Sequence, residues 1–372
     1  MQPSKYKVLE ELGAGGMGKV YKGVLIGQAG FQRPIVMKQL RHGEDEGHVR
    51  MFVEEARRYA VLDHENIGRI FDFETVDDKP CIILEFIDGW SLVEYLERHR
   101  DLRRLPDVDL SIFIVSRVCR ALQYVFERAA IVHRDISPSN IMMTREGTVK
   151  LIDFGIATQS GTRDSSLTGK PAYMAPEMVV ELRADNRSDL FSLGTVLFEM
   201  LTLQRLFQGR TTAEVLEQVI AGHHPSPRSV NPAIPDGVMG IVRTALQRDP
   251  IRRYASAGEM GQACEHFLYD KGYGPTNLTL KQYVYALFPE TKVARAELSQ
   301  DFPFIEHTLI PITDGGSSER ARGDGEEDKT PVAPLKRAYS VAVPPPPEAP
   351  PTLAPGPAGP RPRPRKTRAR PR

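Results

Sequence analysis

The sequence predicts an α+β fold in two lobes, a small β-rich lobe followed by a larger helical one, with a disordered C-terminal tail. Three observations carry this prediction. Short apolar, β-branched runs separated by glycines fill about the first ninety residues. Apolar residues recur at helical spacing after Pro106, and from about Asp314 the chain turns rich in proline and arginine. At 372 residues, with 41% hydrophobic and 26% charged side chains, the composition is ordinary for a globular protein and allows one large domain plus a tail.

Tyr6 to Leu12 and Val20 to Ile26 flank a glycine cluster, which predicts a hairpin, and Pro34 to Leu40 reads as a third strand. Between Asp45 and Leu62, the residues Met51, Phe52, Ala56, Tyr59 and Ala60 fall at helical spacing. Arg69 to Glu74 and Cys81 to Phe86 complete the strands of the first lobe. Pro106-Asp107 marks a helix start, after which Leu110, Phe113, Ile114, Val118, Ala121, Leu122 and Val125 build one apolar face. Short strands at Ile141 to Met143 and Val149 to Ile152 flank a turn at Gly147. Helical periodicity runs from Asp189 to Leu203 and on to about Leu268, and Leu278 to Phe288 is a further short amphipathic helix. In the tail, Pro344 to Pro347 is an unbroken proline run and Arg361 to Arg372 alternates proline with basic residues. Such a segment buries too little apolar surface to offset its ordering entropy.

Several function classes recede on composition alone. The net charge of +1 provides no global field for nucleic acid or membrane. Cys81, Cys119 and Cys264 are too few for a disulfide framework and lack metal-ligand spacing, so free thiols in a reducing compartment are expected. The first residues carry no apolar signal-peptide run. No stretch approaches the roughly 20 apolar residues that span a bilayer. Leu193 to Leu203 comes nearest, but it is short and carries Glu199. A cytoplasmic protein without a transmembrane segment is the expectation.

Three acidic motifs stand in order along the chain: His133-Arg134-Asp135 with Asn140, then Asp153-Phe154-Gly155, then Ala175-Pro176-Glu177. Phosphoryl transfer from ATP needs a carboxylate to orient the attacking hydroxyl and oxygen ligands for a Mg²⁺ ion. Asp135, Asn140 and Asp153 supply those groups. Upstream, Gly13-Ala14-Gly15-Gly16-Met17-Gly18 fits G-x-G-x-x-G. A dinucleotide-binding turn of that pattern must open a helix. Here Lys19 to Ile26 reads as a strand instead, so the loop is the tip of a hairpin folded over phosphates, with a ligand-free structural turn as the plain alternative.

In these motifs and their order, the chain from about residue 6 to 268 resembles the protein kinases, in particular bacterial eukaryotic-like serine/threonine kinases. The resemblance implies a kinase domain over 6–268, with an N-lobe to about 88 and a C-lobe from 89, followed by a short helical extension over 269–312 and the tail over 313–372. It implies that Asp135 orients the substrate hydroxyl and accepts its proton, while Asn140 and Asp153 hold Mg²⁺ or Mn²⁺. Leu12, Gly13, Ala14, Gly15, Gly16, Met17, Gly18, Lys19 and Val20 would cover the nucleotide. Lys38 would reach its phosphates and pair with Glu55 on the following helix. Leu84 would lie behind the adenine, with Glu85, Phe86 and Ile87 as the hinge that bonds the base. Glu177 would pair with Arg253, and Asp189 would hold the catalytic-loop backbone.

Two positions depart from the family pattern. A lysine usually stands two residues after the catalytic aspartate, where this chain has Ser137; a threonine usually stands in the loop before Ala-Pro-Glu, where it has Lys170. Either cation and hydroxyl have exchanged places, with Lys170 reaching Asp135 and Ser137, or Lys170 faces solvent or a substrate and Ser137 is inert. The base and metal ligands are all present, so an active kinase that phosphorylates itself is expected. A nucleotide-binding pseudokinase scaffold is the alternative. A small-molecule phosphotransferase is disfavoured by the peptide-binding loop from Thr168 to Glu177. Tyr173 occupies a position where tyrosine kinases generally carry tryptophan, which favours serine and threonine. Arg134 beside Asp135 suits a phosphate on the activation segment, with Thr168 and Ser166 the favoured hydroxyls among Thr162, Ser165, Ser166 and Thr168. Expected partners are protein substrates, not nucleic acid; the tail could engage anionic or proline-recognising partners, or none.

Overall fold

The computed structural model describes residues 5–15, 18–40, 53, 56–57, 59–76, 79–153, 158–159 and 169–289. Gly16, Met17, Glu55, Phe154, the four candidate phosphorylation hydroxyls and the tail lie outside the described residues.

The first lobe is one antiparallel sheet of β1 (Tyr6–Gly15), β2 (Gly18–Ile26), β3 (Gln32–Leu40), β4 (Ile70–Val76) and β5 (Lys79–Glu85), in the order β1-β2-β3-β5-β4. The β1–β2 ladder closes at Gly15 opposite Gly18, so the glycine motif is a hairpin tip and no helix follows it. Side chains alternate across a strand, which sorts β3 and β5 into two faces. Ile35, Met37, Cys81 and Ile83 pack with Tyr6 and Val76 into one small core. Val36, Lys38, Ile82 and Leu84 take the opposite face, toward the second lobe.

The second lobe begins with β6 (Gly89–Ser91) and α1 (Leu92–Asp101). Apolar periodicity does not predict α1, yet its start signal stands in the sequence. Ser91 Oγ accepts the Glu94 N–H at 3.3 Å and Glu94 Oε2 accepts the Ser91 N–H at 2.7 Å, a reciprocal capping box. α2 (Val108–Ala129) starts at Asp107, whose carboxylate accepts the Leu110 N–H at 2.9 Å. There follow β7 (Ile131–Val132), β8 (Ile141–Thr144), β9 (Val149–Leu151), β10 (Thr158–Gln159) and the short α3 (Pro176–Val180). α4 (Asn186–Thr202) is buried from Ser188 to Thr202 and forms the axis of the lobe. Against it pack α2, α6 (Asp236–Ala245) and α7 (Ala257–Tyr269), while α5 (Thr212–Ala221) packs on α3. A helix apolar on every side must be surrounded by protein, and α4 is.

α8 (Asn277–Leu287) docks on the β8–β9 turn so closely that only glycine fits there. Gly147 has φ +82°, and a Cβ would lie 1.9 Å from the Asn277 carbonyl oxygen. Phe288 stacks on Trp90 at 5.1 Å between ring centroids, with the Arg145 guanidinium 5.0 Å from the same indole. Residues beyond 268 therefore join the second lobe's core.

The Glu177–Arg253 pair ties α3 to the segment before α7. Its two bonds, Nη1 to Oε1 at 2.7 Å and Nη2 to Oε2 at 2.8 Å, are bidentate, and the Arg253 side chain is fully buried. Arg253 Nε also donates to the Gln247 carbonyl at 2.7 Å, and Ser188 Oγ donates to Glu177 Oε1 at 2.7 Å. Removing one partner of such a pair strands the other charge. Arg253→Met should lower unfolding stability by about 3–5 kcal/mol, read from the denaturant midpoint, whereas Glu177→Met/Arg253→Met together should cost distinctly less.

Candidate active site

The loop that carries Asp135 is held from beneath. Asp189, in the first turn of α4, accepts the His133 N–H on Oδ2 and the Arg134 N–H on Oδ1, both at 2.8 Å. These two bonds fix a backbone that L-residues resist, since Arg134 has φ +67°. Asp153 is a second such residue, with φ +58°. Left-handed positions in bulky residues cost on the order of 1–3 kcal/mol each and persist where surroundings enforce them. Burial pushes the Asp189 carboxyl up to about 7, against the pull of the two backbone donors.

From that loop, Asp135 projects with one oxygen committed and one free. Oδ2 accepts from Asn140 Nδ2 at 2.9 Å and from Lys170 Nζ at 2.9 Å. Oδ1 is buried and has no hydrogen-bond partner among the described residues. Asn140 Nδ2 also donates to the Asp135 carbonyl at 2.7 Å, which orients its amide and leaves Oδ1 to accept from Ser139 Oγ at 3.2 Å. The Ile152 N–H donates to the Asn140 carbonyl at 2.9 Å, so Asn140 sits beside the residue that precedes Asp153.

Asp153 meets Lys38 Nζ at 2.5 Å across the lobes. Withdrawal from bulk water works to raise the Asp153 carboxyl, but the attraction and hydrogen bond of Lys38 outweigh it and hold the group below the usual carboxylate value. Asp153 is therefore ionised at neutral pH. The other partner expected for Lys38, Glu55, lies outside the described residues.

Between the lobes lies a cavity of about 290 Å³. Leu12, Val20, Val36 and Lys38 roof it, Leu84, Glu85, Phe86 and Ile87 form its back, and Asn140, Met142, Ile152 and Asp153 floor it. The Ile87 N–H has no backbone partner among the described residues, so a hinge donor is available to a planar heterocycle. Glu85 contributes differently, because its carboxylate accepts from Lys150 Nζ at 3.0 Å and from the Arg69 N–H at 3.1 Å. Gly13, Gly18 and Lys19 do not line the cavity. Lys19 instead pairs with Glu11, two positions before Gly13, at 2.8 Å across the exposed hairpin.

The match to known proteins follows the same boundaries. The protein kinase domain model fits residues 6–268. The chain belongs to the protein kinase family. The kinase is 34% identical over 262 residues to the serine/threonine-protein kinase PrkC of Bacillus subtilis, covering 69% of this chain and 39% of that protein. It is 31% identical over 343 residues to the tyrosine-protein kinase MasK of Myxococcus xanthus, covering 87% of this chain and 51% of that protein. It is 35% identical over 284 residues to the probable serine/threonine-protein kinase SCO3848 of Streptomyces coelicolor, covering 73% and 41% respectively. The chain thus spans about half the length of these relatives or less.

Sequence reasoning passed over Val36, Met142 and Ile152 as cavity residues. Each had a signal. Val36 is two residues from Lys38 on one strand face, Met142 two from Asn140, and Ile152 adjoins Asp153. It also passed over Lys150, whose pair with Glu85 joins β9 to the hinge.

His133 shows how the kinase holds this loop in one protonation state. Its Nδ1 accepts the Asp135 N–H at 3.3 Å, so Nε2 must carry the proton that goes to the Ile152 carbonyl at 3.1 Å. Complete burial lowers its pKa and keeps the ring neutral. A histidine whose folded pKa lies below its unfolded value contributes stability above about pH 6.5 that is lost as the pH falls toward the folded value. His133 should therefore contribute a fall in unfolding free energy on going from pH 7 to 5, of up to about 1.4 kcal/mol per pH unit, opposite in sign to the contribution of the raised Asp189 carboxyl and read as the difference between the wild-type and His133→Gln profiles. Parallel pH profiles for the two proteins would contradict this assignment.

Proposed function

We propose that this chain is an ATP-dependent protein kinase that transfers the γ-phosphoryl group to serine or threonine hydroxyls of protein substrates, including its own. The observation that carries the reading is one cleft lined by Lys38 above and by Asn140 and Asp153 below, while Asp135, bonded to Asn140, keeps one carboxylate oxygen without a partner among the described residues. The apolar roof and floor suit an adenine, and the Ile87 N–H suits its hydrogen-bonding edge. Lys38 is the phosphate-side cation. In this reading the free oxygen of Asp135 orients the substrate hydroxyl and takes its proton as the hydroxyl oxygen bonds to the γ-phosphorus.

The donor set also suits a hard divalent ion. Asn140 Oδ1 and the ionised Asp153 are oxygen ligands held side by side through the Ile152–Asn140 backbone bond. Mg²⁺ is typically bound by one or two such side chains plus substrate phosphates. When bound, the ion neutralises charge on the phosphate oxygens. We take Asn140 and Asp153 as its protein ligands.

The serine/threonine preference rests on the chain's likeness to relatives bearing that name and on Tyr173, whose hydroxyl donates to the buried Glu199 at 2.6 Å. A cytoplasmic setting is supported by Cys81, Cys119 and Cys264, all buried free thiols. No helix among the described residues is long and apolar enough to cross a membrane. Within this reading, residues 269–312 are an extension of the kinase domain and 313–372 a tail whose proline and arginine content suits anionic or proline-recognising partners.

The test is incubation with radiolabelled ATP and a generic protein acceptor. Wild-type protein should incorporate label, recovered as phosphoserine and phosphothreonine, while Asp135→Asn and Lys38→Met should reduce incorporation by about 10²–10⁴-fold. Label at equal rates in all three proteins would reject the kinase reading, and phosphotyrosine alone would replace the acceptor class.

A further inference from the structure

We propose that Lys170, in the loop before Ala175-Pro176-Glu177, is a catalytic residue that supplies the cation to the transferring γ-phosphoryl group, and that Ser137 is its anchor on the catalytic loop. The inference rests on the kinase reading above and assigns the charge balance at that site.

The geometry is specific. Lys170 Nζ lies 2.9 Å from Asp135 Oδ2 and 3.0 Å from Ser137 Oγ. Ser137 is fully buried and accepts that proton, so its own hydroxyl is left to donate to Ser139 Oγ at 3.2 Å, and Ser139 in turn donates to Asn140 Oδ1. The lysine thus heads a chain of hydrogen bonds that ends on a proposed metal ligand.

Its backbone is equally fixed. The Tyr173 N–H donates to the Lys170 carbonyl at 2.9 Å, and the Tyr173 hydroxyl is held by Glu199, itself paired with Arg100 at 2.5 Å. Gly169 has φ +104°, and a Cβ there would stand 2.9 Å from the Arg134 carbonyl oxygen. That glycine lets the loop lie directly on the catalytic backbone.

Reach then decides the role. A hydroxyl oriented by Asp135 lies roughly 2.6–3.2 Å from its carboxylate. Its oxygen stands about 3–3.5 Å from the phosphorus it attacks. The phosphoryl oxygens are therefore within a few ångströms of an ammonium that already touches Asp135. The Lys170 side chain is 45% exposed, so it can be reached from solvent. Lys38 is engaged on the nucleotide side with Asp153.

In the step itself, the acceptor oxygen bonds to the γ-phosphorus, the bond from that phosphorus to the bridging oxygen breaks, ADP leaves with the electron pair, and the hydroxyl proton passes to Asp135. Charge spreads over the phosphoryl oxygens meanwhile, and a preorganised cation there acts directly on the barrier. Ser137 Oγ points at the same ammonium, so a lysine placed at 137 enters the same space. The two positions are exchangeable in function.

The experiment compares full-length wild type, Lys170→Thr, Lys170→Gln and the exchange Ser137→Lys/Lys170→Thr. Each is assayed for transfer to protein and, without a protein acceptor, for transfer to water, read as release of ADP and inorganic phosphate. Lys170→Thr and Lys170→Gln should lower kcat by about 10²–10³-fold in both reactions, with KM for ATP changed by less than about threefold. The exchange should return kcat to within about tenfold of wild type. Because Lys170 is half exposed, unfolding midpoints should stay within a few degrees, and the Gln variant keeps the test open if Thr disturbs the loop.

Variants within about threefold of wild type overturn the proposal, as does an exchange no faster than Lys170→Thr alone. A lysine that only grips the peptide would leave ATP hydrolysis unchanged, which also overturns it. Loss of activity in wild type itself would strike the kinase reading instead.

Discussion

The site depends on one buried carboxyl group. Asp189 stands at the start of the central helix α4 and accepts two consecutive backbone N–H groups of the catalytic loop. Two acceptor oxygens facing two successive donors set both the height of the loop and its rotation, and they enforce the left-handed turn at Arg134. Everything the site needs then follows in short bonded steps. Asp135 is aimed by the turn, Asn140 is tied to Asp135, and Asn140's carbonyl receives the N–H of Ile152 beside Asp153. The rigid helix therefore positions groups that are far apart along the chain.

The first lobe contributes by a different rule, strict alternation. Because β3 and β5 send successive side chains to opposite faces, one hydrophobic set closes the lobe's own core and the other set closes the cavity. Lys38 sits in the second set, between apolar neighbours, and so projects at the cleft and not into solvent. A slip of one residue in the β3–β5 register would exchange these sets. The Lys38–Asp153 contact is therefore as much a consequence of strand pairing as of charge.

Much of this was legible in the sequence. The strands of the first lobe, the start of α2 at Asp107 and α8 fall where the pattern puts them, and of the polar residues singled out by their chemistry Lys38, Asn140 and Asp153 line one cavity, with Asp135 bonded to Asn140. The less legible parts share a physical cause, since they are set by tertiary contact. α1 carries mixed charge over most of its length and is stabilised by its cap and by Leu92, Tyr95 and Leu96 buried beneath it. The short strands β6, β7 and β10 are two or three residues long, below any period that a sequence can display. Lys19 belongs to the glycine motif by position, yet in the structure its charge is satisfied by Glu11 on the neighbouring strand. For Lys170 and Ser137 the sequence left two arrangements open, an exchange of cation and hydroxyl or a solvent-facing lysine, and only tertiary contact chooses between them: Lys170 reaches both Asp135 and Ser137.

That contact changes how the site is assembled. A phosphoryl-binding cation carried on the catalytic loop is present whenever the loop is folded, because Asp189 holds the loop permanently. A cation carried on residue 170 is present only when the loop around Gly169 lies on the Arg134 backbone and Tyr173 is seated on Glu199. Displacement of that loop then removes a positive charge from beside Asp135 at the same time as it removes the surface that receives a peptide. On the role proposed for Lys170, placing the charge on the segment makes transfer and acceptor binding rise and fall together. Coupling of this kind needs no added element, because the same few bonds that seat residues 169–173 also deliver the ammonium.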